Sequence, residues 1–457
     1  MSKEEAMKVV VIGGGPGGYV AALHAVQSGA EVHLIEKGHL GGTCVNRGCI
    51  PTKALLKAVH PIVETKRYKA MGIDMSSIEM DVAKIRSHAQ KSAQLSRKGI
   101  EYLLNKRSVA IIQGEAIGAS NSFIEVKASD GEKKQIEFDK LIIATGSEPA
   151  LIPGMEMDGE RVITSNEALL MKKIPSTLLI VGGGVIGIEM ATIYQALGSR
   201  VSIVEMMPQL LPGEDRECAD ILAQMLMKMG IQVWTQQKIE KIENRTDSCN
   251  VCLNKNNTII EEDFEQILLA TGRKALMPQP LLKDLGVQSN AKGVQVNEWM
   301  ETSQPGVYAI GDVNGVSLLA HTAFKEAKIA CRHLLGETTE PMNYHSVPRV
   351  VYSIPEFAAT GSIEEGKIYT FPYAANGRAR ACNIREGLIK IAIQDNCITG
   401  CTILGENASD MITFASLAIE EKMDLHRLGE IVFPHPTFSE VIADVIEVAL
   451  GKPIHLA

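Results

Sequence analysis

Val9-Val10-Val11-Ile12-Gly13-Gly14-Gly15-Pro16-Gly17-Gly18, near the start of the chain, is an apolar run followed by glycines at the spacing GxGxxG, with Gly13, Gly15 and Gly18 in the three required places. One such match is weak on its own. The chain carries a second: Leu178-Leu179-Ile180-Val181 runs into Gly182-Gly183-Gly184-Val185-Ile186-Gly187, with Gly182, Gly184 and Gly187 in the same places. In each copy an Ala-rich helical stretch follows and closes near a glycine, Gly29 or Gly198, and a second apolar run then ends on an acid. Glu36 follows Gly13 by 23 positions, and Glu205 follows Gly182 by the same 23. Strand, glycines, helix, strand and acid in one register, twice, predict two dinucleotide-binding units.

The glycines let backbone N–H groups approach a pyrophosphate, whose charge a helix N-terminus stabilises. The acid closing the second strand is placed to accept hydrogen bonds from ribose hydroxyls. Glu205 therefore favours NAD over NADP, because a 2′-phosphate would meet like charge there. The following Met206-Met207-Pro208-Gln209-Leu210-Leu211-Pro212 supplies no arginine to hold one. Each copy later reaches another apolar run ending in Ala-Thr-Gly, at Thr145-Gly146 in the first and Thr271-Gly272 in the second, with Arg273 next. From the first glycine to that threonine the copies span 132 and 89 residues, so the first is longer by 43.

That excess includes Gly41-Gly42-Thr43-Cys44-Val45-Asn46-Arg47-Gly48-Cys49-Ile50-Pro51-Thr52-Lys53. Free cysteines are often simply buried apolar residues. Here glycines make the backbone adaptable, and Arg47 and Lys53 favour a thiolate. About one helical turn would bring the two Cα atoms near disulfide distance, roughly 5.5–6 Å, so the run reads as a redox element inserted into a duplicated nucleotide-binding unit. The other cysteines read as structural. Cys249 and Cys252 form a CxxC within an apparent strand, where residues three apart face opposite sides, and no second ligand pair follows at zinc spacing. Cys397 and Cys401 flank Ile398-Thr399-Gly400, which reads as a turn between strands. No metal site is expected.

Three further stretches complete a pattern: Tyr308-Ala309-Ile310-Gly311-Asp312, Leu319-Ala320-His321 and His435-Pro436-Thr437-Phe438-Ser439-Glu440. With the fingerprints and the cysteine run, they make the chain resemble the pyridine nucleotide–disulfide oxidoreductases over essentially its whole length, and within them the branch that oxidises dihydrolipoyl groups. The resemblance implies an α/β fold: two Rossmann-like dinucleotide-binding domains, for FAD and NAD, plus a C-terminal α+β dimerisation domain. Ser147-Glu148-Pro149-Ala150-Leu151-Ile152-Pro153-Gly154 reads as a linker. The expected divisions are 1–149 for the first part of the FAD domain, 150–272 for the NAD domain, 273–344 for the returning part of the FAD domain, and 345–457 for the interface domain.

The resemblance also implies roles. Cys44 and Cys49 would form the redox disulfide, Cys44 meeting the substrate and Cys49 the flavin. His435, oriented by Glu440, would be the acid/base for the substrate thiol; Pro434 and Pro436 hold its segment out of helix. Lys53 and Glu189 would pair beside the flavin, where the lysine charge favours the reduced ring. Cofactor contacts would fall to Gly13, Gly15, Gly18, Glu36, Thr43, Lys53, Ala116, Thr145 and Gly146, to Gly182, Gly184, Gly187, Glu189, Glu205, Gly272 and Arg273, and to Gly311 and Asp312. Leu319, Ala320 and His321 would lie at a helix start over the ring's pyrimidine edge, His321 as a contact and not a catalyst. Phe433 stands where many members of this branch carry another histidine.

Composition agrees. A length of 457 residues suggests about three domains, and 45% hydrophobic content suffices for several cores. A net charge of −8 and a pI near 5.8 argue against a nucleic-acid footprint. No apolar run of about 18 residues offers a membrane span. The acidic Met1-Ser2-Lys3-Glu4-Glu5-Ala6-Met7 reads as neither signal nor transit peptide. Nine cysteines, an odd number scattered over a long chain, suit a reducing cytoplasm. The expected assembly is a homodimer serving lipoyl-bearing carrier domains of 2-oxoacid dehydrogenase or glycine cleavage complexes. A glutathione-reductase-like enzyme is the alternative; it would prefer NADP, with arginines where Glu205 and two methionines stand. Relatives needing a C-terminal cysteine pair fit less well, since the last cysteine is Cys401, and a non-catalytic subunit would be expected to lack Cys44, Cys49 or His435.

Overall fold

The computed structural model of the chain describes residues 6–456 except 76, 153, 156, 246, 256 and 257. Residues 1–5 of the N-terminal stretch and Pro153 of the linker lie outside the described residues. The chain forms two compact units. The first gathers Met1–Ala54, Arg86–Ala150 and Arg273–Met342, and the second Leu55–Ile85, Leu151–Gly272 and Asn343–Ala457.

In the first unit the strand Lys8–Ile12 pairs in parallel with Glu31–Glu36 on one side and Lys140–Ile143 on the other. Val307–Ala309 extends the sheet beyond Lys140–Ile143. Val9, Val10 and Val11 are fully buried, as a parallel strand covered on both faces requires. The helix Pro16–Gln27 starts with Pro at its first turn and buries Gly17, Gly18, Ala21, Ala22 and Ala25, small residues that let it pack closely against the helix Ala320–Leu334. The long strand Ala110–Ala119 does two jobs. Its first half pairs in parallel with Glu31–Glu36, and its second half starts an antiparallel meander with Phe123–Ala128 and Lys133–Glu137. Because the chain leaves Lys8–Ile12 in one direction and returns to Lys140–Ile143 on the other side, a crevice opens at the carboxyl ends of these two strands.

The second unit repeats the plan with Thr177–Val181 between Arg200–Val204 and Gln266–Leu269, flanked by Gln232–Trp234 and Val162–Thr164. Here the counterpart of the long strand is broken in two. Gln236 takes a left-handed φ of 56° between Gln232–Trp234 and the meander strand Gln237–Asn244. The same unit holds an antiparallel sheet ordered Arg349–Val351, Glu356–Gly361, Cys397–Gly405, Leu388–Gln394 and Lys367–Pro372. Helices Ala408–Glu420 and Glu440–Ala449 pack on it, around Ile389, Ile391, Ile403 and Val445. The chain is thus an α/β protein of two dinucleotide-binding folds and a C-terminal α+β domain.

Two local expectations are corrected. Cys397 to Cys401 is strand, not turn: the reversal falls at Asp395-Asn396, whose φ values of 49° and 59° are the left-handed pair of a two-residue hairpin. The start of the linker is also strand. Ser147–Pro149 pairs antiparallel with Arg273–Ala275, and Pro149 is tolerated at the end of a two-stranded ribbon.

Candidate active site

The two glycine loops are built alike. An added Cβ on Gly13, whose φ is 101°, would stand 2.3 Å from Ala144 O, and one on Gly18 would stand 1.7 Å from Gly13 O. In the second copy the same distances are 2.4 Å, from Gly182 to Ala270 O, and 2.0 Å, from Gly187 to Gly182 O. The outer glycines are therefore demanded by the turn and by close helix–strand packing. The middle ones are different: a Cβ on Gly15 would meet nothing nearer than Gly42 Cα at 3.9 Å, and one on Gly184 nothing within 4 Å. That open space lies at the starts of Pro16–Gln27 and Val185–Ala196, neither of which has a side-chain cap. Backbone donors and room for a pyrophosphate coincide twice.

Each acid is held ready. Glu36 accepts from Gly14 N at 2.6 Å and Gly38 N at 2.6 Å. Glu205, buried, accepts from Gly183 N and Met207 N, both at 2.8 Å. Carboxylate oxygens accept more than one hydrogen bond, so both acids retain lone pairs for a ribose. Met206 and Met207 beside Glu205 are exposed, and neither can pair with a phosphate.

The cysteine run is two helices, not one turn of one. Gly42–Arg47 carries Thr43 and Cys44, Cys49–Val63 begins with Cys49, and Gly48 breaks the chain between them at φ −151°. A side chain on Gly48 would place Cβ 2.8 Å from Thr43 O, so only glycine fits this step. Gly41 N donates to Gly14 O at 2.7 Å, and a Cβ on Gly42 would stand 2.8 Å from Gly15 Cα, so the redox helix sits directly on the first fingerprint. Val45 is buried while both cysteines stay half-exposed. Hydrogen bonding to the Cys49 thiol and burial push Cys44 well above the ordinary thiol range, and the Lys53 charge opposes them. Lys53, four residues after Cys49, shares its helix face. Asn46 and Thr52 serve the backbone: Asn46 donates to Leu40 O and Gly42 O at 2.9 Å, and Thr52 donates to Gly48 O at 2.6 Å.

A polar network lies further along the first unit. Arg273 donates to Ser147 Oγ at 2.7 Å and to Ser147 O at 2.8 Å, and Ser147 donates to Asp312. Burial raises the Asp312 carboxyl above the usual range, with Ser147 and Arg273 pulling against it. Gly311 N donates to Glu326 Oε2 at 2.5 Å, and Asn314 Nδ2 to Glu326 Oε1 at 3.1 Å. Glu326 is fully buried in the helix Ala320–Leu334. That helix has Leu319 at its N-cap without a side-chain cap, and His321 is exposed in its first turn. Thr145 is committed to structure, donating to Leu276 O at 2.7 Å, and Gly146 takes a left-handed φ of 79°. Ala116 lies half-buried next to a bulge of its strand.

In the second unit Glu189 is buried on Val185–Ala196 and accepts from Tyr352 N at 3.1 Å. Gly272 is left-handed at φ 106°, ending the Ala-Thr-Gly turn. His435 lies on the loop before Glu440–Ala449. Its Nδ1 stands 2.8 Å from Glu440 Oε1, and Glu440 Oε2 accepts from Thr437 N at 2.7 Å. A carboxylate only accepts, so Nδ1 carries the proton and Nε2 keeps its lone pair in the neutral ring. Burial works to raise Glu440, but the Thr437 N–H and the His435 ring outweigh it and hold the carboxyl below its ordinary range. Phe433 stacks obliquely on Phe414, centroids 5.6 Å apart, in the wall of a cavity of about 360 Å³ that Thr437 and Ser439 also line. Among the described residues no group of His, Cys, Asp or Glu forms a metal cluster.

Several residues that tie these loops and strands together have no sequence signature strong enough to single them out. Ser147 and Glu326 have no motif of their own, although an acid in the register of Thr322, Ala323 and Ala327 on one helix face signals a buried partner for a polar loop. Lys390 is buried between Asp215, at 3.0 Å, and Glu217, at 2.7 Å, and Arg349 makes a two-pronged pair with Glu214. These join the segment after Glu205 to the antiparallel sheet.

Two nucleotide loops, a thiol pair seated on the first and a histidine–carboxylate pair define a pyridine-nucleotide enzyme of thiol–disulfide redox chemistry. The chain belongs to the pyridine nucleotide-disulphide oxidoreductase family, which matches residues 7–327, with the family's dimerisation domain matching 347–446. It is similar to the dihydrolipoyl dehydrogenase of Chlorobaculum parvum, 37% identical over 97% of both chains. It is similar also to those of Geobacillus stearothermophilus, 36% identical over 98% of this chain and 97% of the other, and of pea mitochondria, 35% identical over 98% and 92%. Among solved structures, LpdA from Mycobacterium tuberculosis superposes with a TM-score of 0.90 at 25% identity, over 97% of this chain and all of the other. The HOCl-induced flavoprotein disulfide reductase RclA from Escherichia coli follows at 0.84 and 26%, over 96% of this chain and 99% of the other. The chain is an oxidoreductase that uses FAD and NAD(H). No described helix is long and apolar enough to cross a membrane.

Proposed function

We propose that the chain oxidises dihydrolipoyl groups to lipoyl disulfides with reduction of NAD+. The observation that carries this reading is the His435–Glu440 pair, a base with a fixed tautomer, in a chain that also seats a thiol pair on its first fingerprint. The full-length relatives named dihydrolipoyl dehydrogenase support it. His435 Nε2 takes the proton from one substrate thiol. The resulting thiolate attacks Cys44 Sγ, the Cys44–Cys49 bond breaks, and Cys49 leaves as a thiolate. The second substrate thiol then attacks the first sulfur, the mixed disulfide breaks, and its proton passes to the departing Cys44 sulfur while the first proton stays on the His435 imidazolium. The cysteine pair is reduced by two electrons and the substrate oxidised by two.

The loops fit their cofactors: Gly15 and Gly184 leave open the space a pyrophosphate would fill, and Glu36 and Glu205 would hold the two riboses. Asp312, Thr43, Ala116 and the start of Ala320–Leu334 would complete the flavin site, with Lys53 and Glu189 paired beside it. FAD held there would supply the electron relay between the Cys49 thiolate and NAD+. The corresponding division is an FAD domain over 1–149 and 273–344, a NAD domain over 150–272 and an interface domain over 345–457. The enzyme would work as a cytoplasmic homodimer on lipoyl-bearing carriers of 2-oxoacid dehydrogenase or glycine cleavage complexes. Turnover of dihydrolipoamide and of glutathione, each with NAD and NADP, tests the reading. Dihydrolipoamide with NAD should be the active pair, and preferred turnover of glutathione with NADP would replace it by the glutathione-reductase-like alternative.

A further inference from the structure

The helix Glu440–Ala449 presents a second carboxylate one turn beyond Glu440. Glu440 and Asp444, four residues apart, share a helix face, and each holds a histidine ring: His435 Nδ1 lies 2.8 Å from Glu440 Oε1, and His455 Nδ1 lies 2.8 Å from Asp444 Oδ1. The tail is folded back to make this second pair. The helix ends at Ala449, Gly451 turns left-handed at φ 75°, Lys452 N donates to Glu447 O at 2.9 Å, and Leu456 packs against the core of the antiparallel sheet. Asp444 is 8% exposed, so its carboxylate needs a partner; His455 supplies one.

The charges on this face act on one another. Glu440 feels His435 and His455, Asp444 feels His455 and Glu440, and His455 feels Asp444, Glu447 and Glu440. The hydrogen bond to Asp444 raises His455 above the ordinary histidine range, while burial raises Asp444 and His455 pulls it back. Other cations nearby are engaged or turned outward. The elements packed on the helix, Leu425–Gly429, Lys367–Pro372 and Leu388–Gln394, carry His426, Arg427, Lys367 and Lys390. Lys390 is held by Asp215 and Glu217, Lys367 lies over the Tyr369 ring, and His426 and Arg427 are exposed. Arg378 lies over the Phe438 ring of the His435 loop.

We propose that His455 is a positioning residue for the acid/base pair: its cationic ring cancels the Asp444 charge, so that His435 answers to Glu440 alone. Without that cation an uncompensated Asp444 carboxylate would stand one turn from Glu440, the acid that holds the His435 ring, and Nε2 would be available to a substrate thiol over a narrower range. The inference rests on the assignment of His435 as the base. The test is the pH profile of kcat/KM for dihydrolipoamide in the FAD-loaded enzyme. In His455→Gln, which removes the charge, the acid limb should move up by about half a pH unit, the size of one charge removed under water-like screening. His455→Arg should bring the limb back, and so should Asp444→Asn/His455→Gln, where the charge to be cancelled is gone. NADH-to-dye activity, which does not use His435, should keep its profile in all of them. Loss of packing alone would slow His455→Gln and the double variant alike and leave the limb in place. That outcome, with His435→Gln inactive, refutes the role of His455 and leaves the proposed function standing. Oxidation of dihydrolipoamide by His435→Gln at the wild-type rate would instead remove the base itself, and this inference with it.

Discussion

The two cysteines are chemically unequal although only four residues separate them. Cys44 sits inside a short helix with its thiol pushed up by Cys49 and by burial, while Cys49 begins the next helix with Lys53 one turn on. The reduced pair should therefore carry its negative charge on Cys49. Two-electron reduction of the FAD-loaded enzyme should give a long-wavelength absorbance, which Cys44→Ser should show without reduction, its flavin still oxidised, and Cys49→Ser should lack; the reverse pattern would exchange the roles. His435 is the other residue with a defined task. Replacing it by Gln should lower dihydrolipoamide turnover by about 10²–10⁴-fold, the usual worth of a general base, with NADH-to-dye activity retained. Glu440→Gln should cost less, because Nε2 survives while the tautomer is no longer fixed; equal losses in both variants would mean that the carboxylate does more than orient the ring.

At the scale of elements, the glycine loops are the most legible part of the sequence, because backbone demands are local. A residue that must turn left-handed or let two backbones touch can only be glycine, and a Cβ added to Gly13, Gly18, Gly182 or Gly187 would stand between 1.7 and 2.4 Å from a carbonyl oxygen. Gly18→Ala should purify with little flavin, seen as a low ratio of flavin to protein absorbance, whereas Gly187→Ala should keep its flavin and lose affinity for NAD+. Gly99, inside the helix Val82–Lys106 and with open space where a Cβ would stand, is the contrast: Gly99→Ala should stabilise by about 0.5–1 kcal/mol in thermal or denaturant unfolding. Glu205 is equally legible, since its distance from Gly182 sets its place just after the second strand. It should favour NAD over NADP by at least about tenfold in kcat/KM, or about 1.4 kcal/mol, and equal use of both would refute this reading of the carboxylate. What stays hidden depends on distance along the chain. Lys390 with Asp215, and Ser147 with Asp312, are separated by 175 and 165 residues and have no local signature. The break at Gly48 and the hairpin at Asp395-Asn396 are obscured for a nearer reason: helical spacing and flanking cysteines draw the eye away from the residues that set the backbone.

For the whole molecule, the redox pair and its base belong to different parts of the family pattern. Cys44 and Cys49 fall within the match over residues 7–327, and His435 within the dimerisation domain matched over 347–446. In a two-fold dimer each interface patch is used twice, so a base carried on the dimerisation domain can serve the thiols of the partner and generate two equal sites. The consequence is testable by mixing two inactive enzymes. Cys44→Ser chains lack the thiol that meets substrate, and His435→Gln chains lack the base. If each site draws its thiols from one subunit and its histidine from the other, a mixed dimer contains one doubly damaged site and one intact site. Co-refolded mixtures should then recover dihydrolipoamide activity, up to about half of wild type per mixed dimer. Mixed dimers demonstrated by differential tagging that remain silent, while their NADH-to-dye activity shows intact flavin domains, would confine His435 to its own chain.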